Sequence, residues 1–190
     1  FQRYSRLVID CNRPPGHPTS IAPLSDGTRV PANQNLSAAQ AARREQEIFW
    51  PYQKAIAGQI ARMRLSGRAP AVIAMHSFTP KHGDYPAPRP WHIGVLFNRD
   101  DRLARPLIAL LEAEGDLTVG INEPYAVDDS GDYAVPVHCE KGGLLHVELE
   151  IRQDLIDGTV GQSEWANRLA RLLPLALEAA AAAAIVDRAG

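Results

Sequence analysis

Three short polar clusters interrupt apolar stretches of this 190-residue chain, and each carries side chains able to do chemistry. Asp10-Cys11-Asn12-Arg13 closes the run "RLVIDCNR", and His76-Ser77 follows directly on "AVIAM". In "HVELEIRQD", His146, Glu148, Glu150 and Arg152 occupy alternate positions. An arginine fork beside an amide suits a bidentate grip on a carboxylate. An imidazole at a strand end can ligate zinc. Side chains alternate across a strand, so the four polar residues of the third cluster share one face and Val147, Leu149 and Ile151 the other. Two carboxylates on a central strand are costly to bury without compensation. Either arginines neutralise them, or one is held where a base is wanted. The first two clusters also have plain structural readings: Asn12 and Arg13 can tie down a loop, and His76 can be a core histidine satisfied by backbone. No HxxE, HxxxH or CxxC motif supplies a local pair of metal ligands.

The elements that must position these residues follow from pattern and breakers. "RLVIDCN" is apolar on both faces until Asp10, which predicts a strand covered on both sides. "RPPGHPTSIAPLSDGTRVPANQN" is a loop rich in breakers. Ser37, with Gln40 three residues on, forms a capping box that opens a helix. Ile48, Tyr52, Ile56, Ile60 and Met63 give that helix one apolar face, Pro51 should kink or split it, and Gly67 and Pro70 end it. "AVIAMHS" is the next strand and reads as buried; "FTPKHGDYPAPRP" is a second loop. "WHIGVLFN" is a strand, "DDRLARPLIALLEAEG" a helix closed by Gly115, and "LTVGINEPY" a further strand. "AVDDSGDYAVPVHCEKGG" reads as a third loop, "LLHVELEIRQDL" as the fifth strand, and Ser163 onward as a helix with Trp165, Leu169, Leu172 and Leu173 inward. Alternation of strands and helices predicts an α/β class with a mostly parallel or mixed sheet, in one domain over residues 1–190. Ligands of such sheets bind beyond the carboxyl ends of the strands, where this chain puts its polar clusters.

Composition narrows the function classes. Hydrophobic content of 45% and charged content of 22% are those of a globular protein. A net charge of -2 gives no electrostatic basis for nucleic acid or an anionic membrane as partner. The run "ALEAAAAAAIVDRAG" is too short and too weakly apolar to span a bilayer. Cys11 and Cys139 cannot build a disulfide framework, so a reducing cytoplasm is the expected location. The chain opens "FQRYSRLVID", without methionine and with a strand expected within a few residues, which reads as a fragment of a longer chain.

Taken in order, Asp10-Cys11-Asn12-Arg13, His76-Ser77-Phe78 and Glu150-Ile151-Arg152 resemble the skeleton of the zinc carboxypeptidases and their relatives. The finer resemblance is to the N-formylglutamate amidohydrolase family, through "YSRLVIDCNRP", "SDGTRVPAN", "MHSFTP", "WHIGVLFNRD", "NEPY" and "ELEIRQDL". It runs from about Arg3 to Trp165. The resemblance implies a three-layer, zinc-carboxypeptidase-like sandwich around a mixed sheet, lacking its N-terminal part. It implies that His76 is a zinc ligand, that Glu150 is the general base, and that Asn12 and Arg13 bind the substrate's free carboxylate. His138, in "VPVHCEKGG", matches a histidine recurrent in the family that faces the reaction. Glu148, His146, Tyr125 and Cys139 are left as framework. The implied activity is zinc-dependent removal of a formyl or other small acyl group from an amino acid such as glutamate. The alternatives are a peptidase trimming C-terminal or cell-wall peptides, and a non-catalytic binder of small acids. In the family the first two zinc ligands lie upstream of the block matched by "YSRLVIDCNR", so His76 is the one expected ligand within this chain.

Overall fold

The computed structural model describes residues 2–83 and 87–189, so residues 84–86 of the second expected loop lie outside the described residues. The chain divides into two compact units. The first comprises Phe1–Pro70, Gly83–Tyr85 and Asp128–Gly143; the second comprises Ala71–His82, Pro86–Val127 and Leu144–Gly190.

In the first unit the expected strand over residues 6–12 is not formed; the segment runs through turns. Its carbonyls are taken by side chains instead of by a neighbouring strand. Asn33 Nδ2 donates to Leu7 O at 2.8 Å, Arg44 Nη1 to Val8 O at 2.7 Å and Gln53 Nε2 to Cys11 O at 2.7 Å. Ile9 and Cys11 turn inward and pack with Phe49, while Leu7 stays exposed. The following loop is not wholly irregular either. Strands β1 (Leu24–Ser25) and β2 (Thr28–Arg29) pair antiparallel across Asp26-Gly27, both at positive φ (46° and 70°). That is the Asp-Gly pair that two-residue hairpins favour.

Helix α1 (Ala38–Arg44) starts on the capping box between Ser37 and Gln40. It passes through a π-helical turn, Glu45–Phe49, into helix α2 (Trp50–Leu65). Pro51 sits in the first turn of α2, where its missing N–H matters least. The π turn is thus where the predicted interruption falls, since widened turns re-route the backbone ladder. Gln53 is buried on this helix, and the apolar positions Ile48, Tyr52, Ile56, Ile60 and Met63 are half-buried. Residues 135–142, expected as loop, form a π-helical turn (Val135–Cys139) and a short 3-10 turn (Glu140–Gly142).

The second unit is built on a four-stranded sheet. Strands β3 (Val72–Phe78), β4 (Ile93–Leu96), β5 (Val119–Ile121) and β6 (His146–Arg152) lie in the order β3-β6-β4-β5. β3 runs parallel to β6, β4 antiparallel to β6, and β4 parallel to β5, so the sheet is mixed. Helices α3 (Ala104–Ala113) and α4 (Thr159–Ala189) join one face of the sheet in a single apolar core. Val147, Leu149 and Ile151 of β6 meet Leu107 and Leu111 of α3 and Trp165, Leu169 and Leu172 of α4 there. Gly115, at φ +76°, follows α3 as expected. Helix α4 begins earlier than the sequence suggested, at Thr159, and no described helix is long and apolar enough to cross a membrane.

β3 is the one strand that departs from its expected environment. It was read as buried, but it is an outer strand of this sheet, half-exposed along much of its length, with Met75 51% exposed. The inner strands are β6, buried from His146 to Ile151, and β4, buried throughout.

The opposite face of β6 carries His146, Glu148 and Glu150, and two glycines shape its border. Gly94 of β4 stands across from Glu150, and Gly120 across from Gly94 on β5. A Cβ at Gly94 would lie 2.2 Å from the carbonyl oxygen of Glu123, and one at Gly120 would lie 2.7 Å from the same atom. The Asn122-Glu123-Pro124 segment therefore lies directly on these two glycines, pinned by Asn122 Oδ1 accepting from Phe97 N at 2.9 Å. Gly94→Ala must push backbone aside, so we expect a stability loss of about 1–3 kcal/mol or more, read as a lowered midpoint in denaturant unfolding. An unchanged midpoint would show that the segment moves freely.

Candidate active site

His76 and Glu150 are register partners on the parallel β3/β6 ladder, so their side chains stand on the same face of the sheet. Glu148, two residues earlier on β6, shares that face. One ligand-type atom of each of His76, Glu148 and Glu150 lies within 4.8 Å of those of the other two. His76 Nε2 is 3.8 Å from Glu148 Oε2. Both carboxylates are almost wholly buried, whereas the imidazole is about one-third exposed. The site thus has a buried acidic floor and an accessible imidazole. Glu148, taken as framework in the sequence, is a member of this cluster. The alternation in "HVELEIR" places it on the face, but its closeness to His76, 72 residues earlier, depends on a different strand.

Arg152, the arginine at the end of the same strand, turns elsewhere. Its Nε donates to Asp154 Oδ1 at 2.8 Å, and its Nη1 to the carbonyls of Pro90 and Trp91. His146 is fully buried, and its Nδ1 donates to the carbonyl of Leu144 at 2.8 Å, a framework role. Tyr125 is exposed and takes a hydrogen bond from Arg89 Nη1 at 3.0 Å, with the guanidinium over its ring.

The other expected site residues, Asn12, Arg13 and His138, belong to the first unit. Asn12 and Arg13 both grip the 128–134 segment. Asn12 Oδ1 accepts from Ala134 N at 2.9 Å, and Asn12 Nδ2 donates to Asp132 Oδ1 at 3.1 Å. Arg13 Nη1 donates to Gly131 O at 2.7 Å and to Asp132 Oδ1 at 2.5 Å. The loop-tying reading of this pair is therefore realised in the structure. It does not exhaust Arg13. All hydrogen bonds of its side chain among the described residues are made by Nη1, which leaves Nε and Nη2 as a donor edge on a side chain 27% exposed.

His138 sits in the π-helical turn, half-buried beside Tyr133. Its Nε2 is 2.7 Å from Gln53 Oε1, and the Gln53 amide nitrogen donates to Cys11 O. Gln53 thus turns its oxygen to His138, so Nε2 carries the proton and Nδ1 is the bare nitrogen. Burial pushes the His138 imidazole below its ordinary pKa. The unfolded chain takes up that proton more readily, so this group costs nothing above about pH 6.5, the unperturbed value. Stability should fall as pH drops from there to the folded pKa. We expect the His138 ring to titrate below the ordinary histidine value by NMR, and His138→Gln to flatten the acid side of the stability profile between those limits. An ordinary titration midpoint would contradict this.

Known proteins of this shape give these residues a context. The sequence profile of the N-formylglutamate amidohydrolase family matches residues 1–157. Among solved structures, a gene product of Agrobacterium tumefaciens is similar at 37% identity and a TM-score of 0.86, covering 93% of this chain and 69% of its own. An N-formylglutamate amidohydrolase from Ralstonia eutropha shares the fold at 19% identity and a TM-score of 0.62, over 92% of this chain and 73% of its own. No curated protein sequence matches the chain. With its α/β architecture and mixed sheet, and with a family profile spanning most of its length, the chain belongs to the N-formylglutamate amidohydrolase family.

Proposed function

We propose that the protein hydrolyses the amide bond of an N-acyl amino acid, N-formylglutamate foremost, with zinc as its cofactor, releasing formate and the free amino acid. The observation that carries this reading is the His76–Glu148–Glu150 cluster on the buried polar face of β6, in a chain of an amidohydrolase family. Of these three, His76 is the ligand we assign, an imidazole being a donor that zinc takes. Bound zinc lowers the pKa of water toward 7 and polarises a carbonyl oxygen. Glu150 supplies the base: its carboxylate takes the proton of the attacking water and returns it to the leaving amine nitrogen. The donor edge of Arg13, Nε and Nη2, suits a planar carboxylate, and Asn12 holds the backbone around it. His138 offers Nδ1 as a hydrogen-bond acceptor toward substrate. Cys11 and Cys139 form no disulfide, which suits a cytoplasmic protein.

In the complete protein, Glu150→Gln should retain zinc, by metal analysis, and lose kcat by about 10²–10⁴. Turnover close to the wild-type rate would remove Glu150 from the mechanism. Arg13→Ala should raise KM by roughly 10- to 100-fold, the worth of one or two charge-assisted hydrogen bonds. A substrate whose carboxylate is amidated should then be equally poor for wild type and variant. A panel of N-formyl, N-acetyl and dipeptide substrates tests the class itself: a preference for dipeptides would replace the amidohydrolase by a peptidase.

A further inference from the structure

We infer that Arg89 is a substrate-binding residue, whose guanidinium edge Nε–Nη2 takes the second carboxylate of an acidic N-acyl amino acid. This deepens the proposed function and rests on that reading for the identity of the ligand. The proposed substrate, N-formylglutamate, carries two carboxylates, and the grip assigned to Arg13 covers one of them.

The observation is a buried charge without a counter-charge. Arg89 is 7% exposed. Its side-chain hydrogen bonds all start from Nη1, which donates to Thr79 O and Thr79 Oγ1, each at 3.2 Å, and to Tyr125 Oη at 3.0 Å. These acceptors are neutral, and no carboxylate among the described residues is paired with Arg89. Arg13, by contrast, already meets Asp132. A guanidinium taken out of water is costly unless an anion or a full set of acceptors meets it. Tying down the loop around Arg89 takes Nη1 alone. The Tyr125 ring, its centroid 5.1 Å from Cζ, covers one face of the guanidinium. What remains is the side edge, Nε and Nη2, two parallel donors that match the oxygens of a carboxylate. Neither nitrogen is sealed from solvent. The Tyr125 O–H has no acceptor of its own among the described residues, and it can turn to the same anion.

Both anchors of Arg89 belong to the unit that holds His76, Glu148 and Glu150. Thr79 directly follows β3, three residues past His76, so their Cα atoms lie within about 11 Å of each other. Tyr125 comes two residues after Glu123, whose carbonyl oxygen would be 2.2 Å from a Cβ at Gly94, the register partner of Glu150. Arg89 is thus fastened to the chain just beyond the carboxyl end of β3 and to the segment that overlies Gly94. Ligands of α/β sheets bind beyond such strand ends.

Two amides isolate the two charges: N-formylglutamine, which lacks the side-chain carboxylate, and the α-amide of N-formylglutamate. In the complete protein, Arg89→Gln should lower kcat/KM for N-formylglutamate by about 10- to 100-fold, chiefly through KM. The loss should nearly vanish on one amide and persist on the other, the reverse of Arg13→Ala. Arg89→Lys, which keeps the charge without the fork, should recover part of it. Binding is also read without metal or turnover. Glutarate, a dicarboxylate that is not hydrolysed, should raise the unfolding midpoint of wild type and do so much less in Arg89→Gln. Tyr125→Phe, an exposed position that leaves the guanidinium in place, should weaken glutarate too, and it carries this measurement if Arg89→Gln does not fold. Equal losses of Arg89→Gln on all three substrates would make Arg89 structural and overturn the inference. Glutarate that fails to stabilise wild type, or stabilises the variants equally well, would overturn it as well. Absence of turnover on every N-formyl compound would instead defeat the amidohydrolase reading, and the glutarate measurement would still decide Arg89.

Discussion

A strand buried on both faces can be apolar on only one of them here, and that constraint organises the second unit. β6 turns Val147, Leu149 and Ile151 into the core formed with α3 and α4, and this apolar face supplies the driving force that holds the strand in place. Its other face is committed to His146, Glu148 and Glu150. Carboxylates in such a position are tolerated only with partners, polar or cationic, gathered around them. Two features answer part of that demand: an imidazole arrives from β3, and His146 Nδ1 donates to the carbonyl of Leu144. The site is what remains when a buried acidic surface is given one accessible edge.

The first unit solves a different problem with similar means. Its segment before Asn12 has few ladder hydrogen bonds to offer, so polar side chains from elsewhere in the unit close its backbone. Asn33, Arg44 and Gln53 each bind a carbonyl of residues 7–11, and Asn12 and Arg13 in turn hold the 128–134 segment. Gln53 reaches two of these elements at once, Cys11 by its nitrogen and His138 by its oxygen. A buried amide with both ends engaged fixes a ring orientation more firmly than apolar packing alone, because either bond lost leaves a desolvated group behind.

Much of this was legible in the sequence where one period and one breaker decide the outcome. The alternation in "HVELEIR" fixed which residues of β6 share a face, the Ser37–Gln40 box marked the start of α1, and Gly115 marked the end of α3. The misreadings share a cause. Residues 6–12 have the composition of a strand, but whether their carbonyls meet another strand or the amides of Asn33 and Gln53 is decided at long range. Residues 135–142 look like loop because Pro136 and the Gly142-Gly143 pair at their end dominate the pattern, yet Pro136 falls in the first turn of the π segment, where it is tolerated. The Asp26-Gly27 hairpin carries a turn signal of its own, but it stands within a run of breakers that masks it. Glu148 was the costliest omission, since a carboxylate's neighbours across a parallel ladder leave no local trace.

β3 stands at the margin of the four-stranded sheet, joined to it, among the described residues, through β6. Its alignment therefore comes from a single ladder of seven paired positions. A parallel strand displaced by two residues keeps its faces, but then Ala74 or Phe78 would lie across from Glu150. Displaced by one, it would aim the imidazole at the helical layer. Nothing about the composition of the cluster would change, and its chemistry would vanish. Seen this way, the hydrophobic residues at the start of β3 act as a vernier: Ile73, packed against the core beside Val147, sets the scale on which His76 is read.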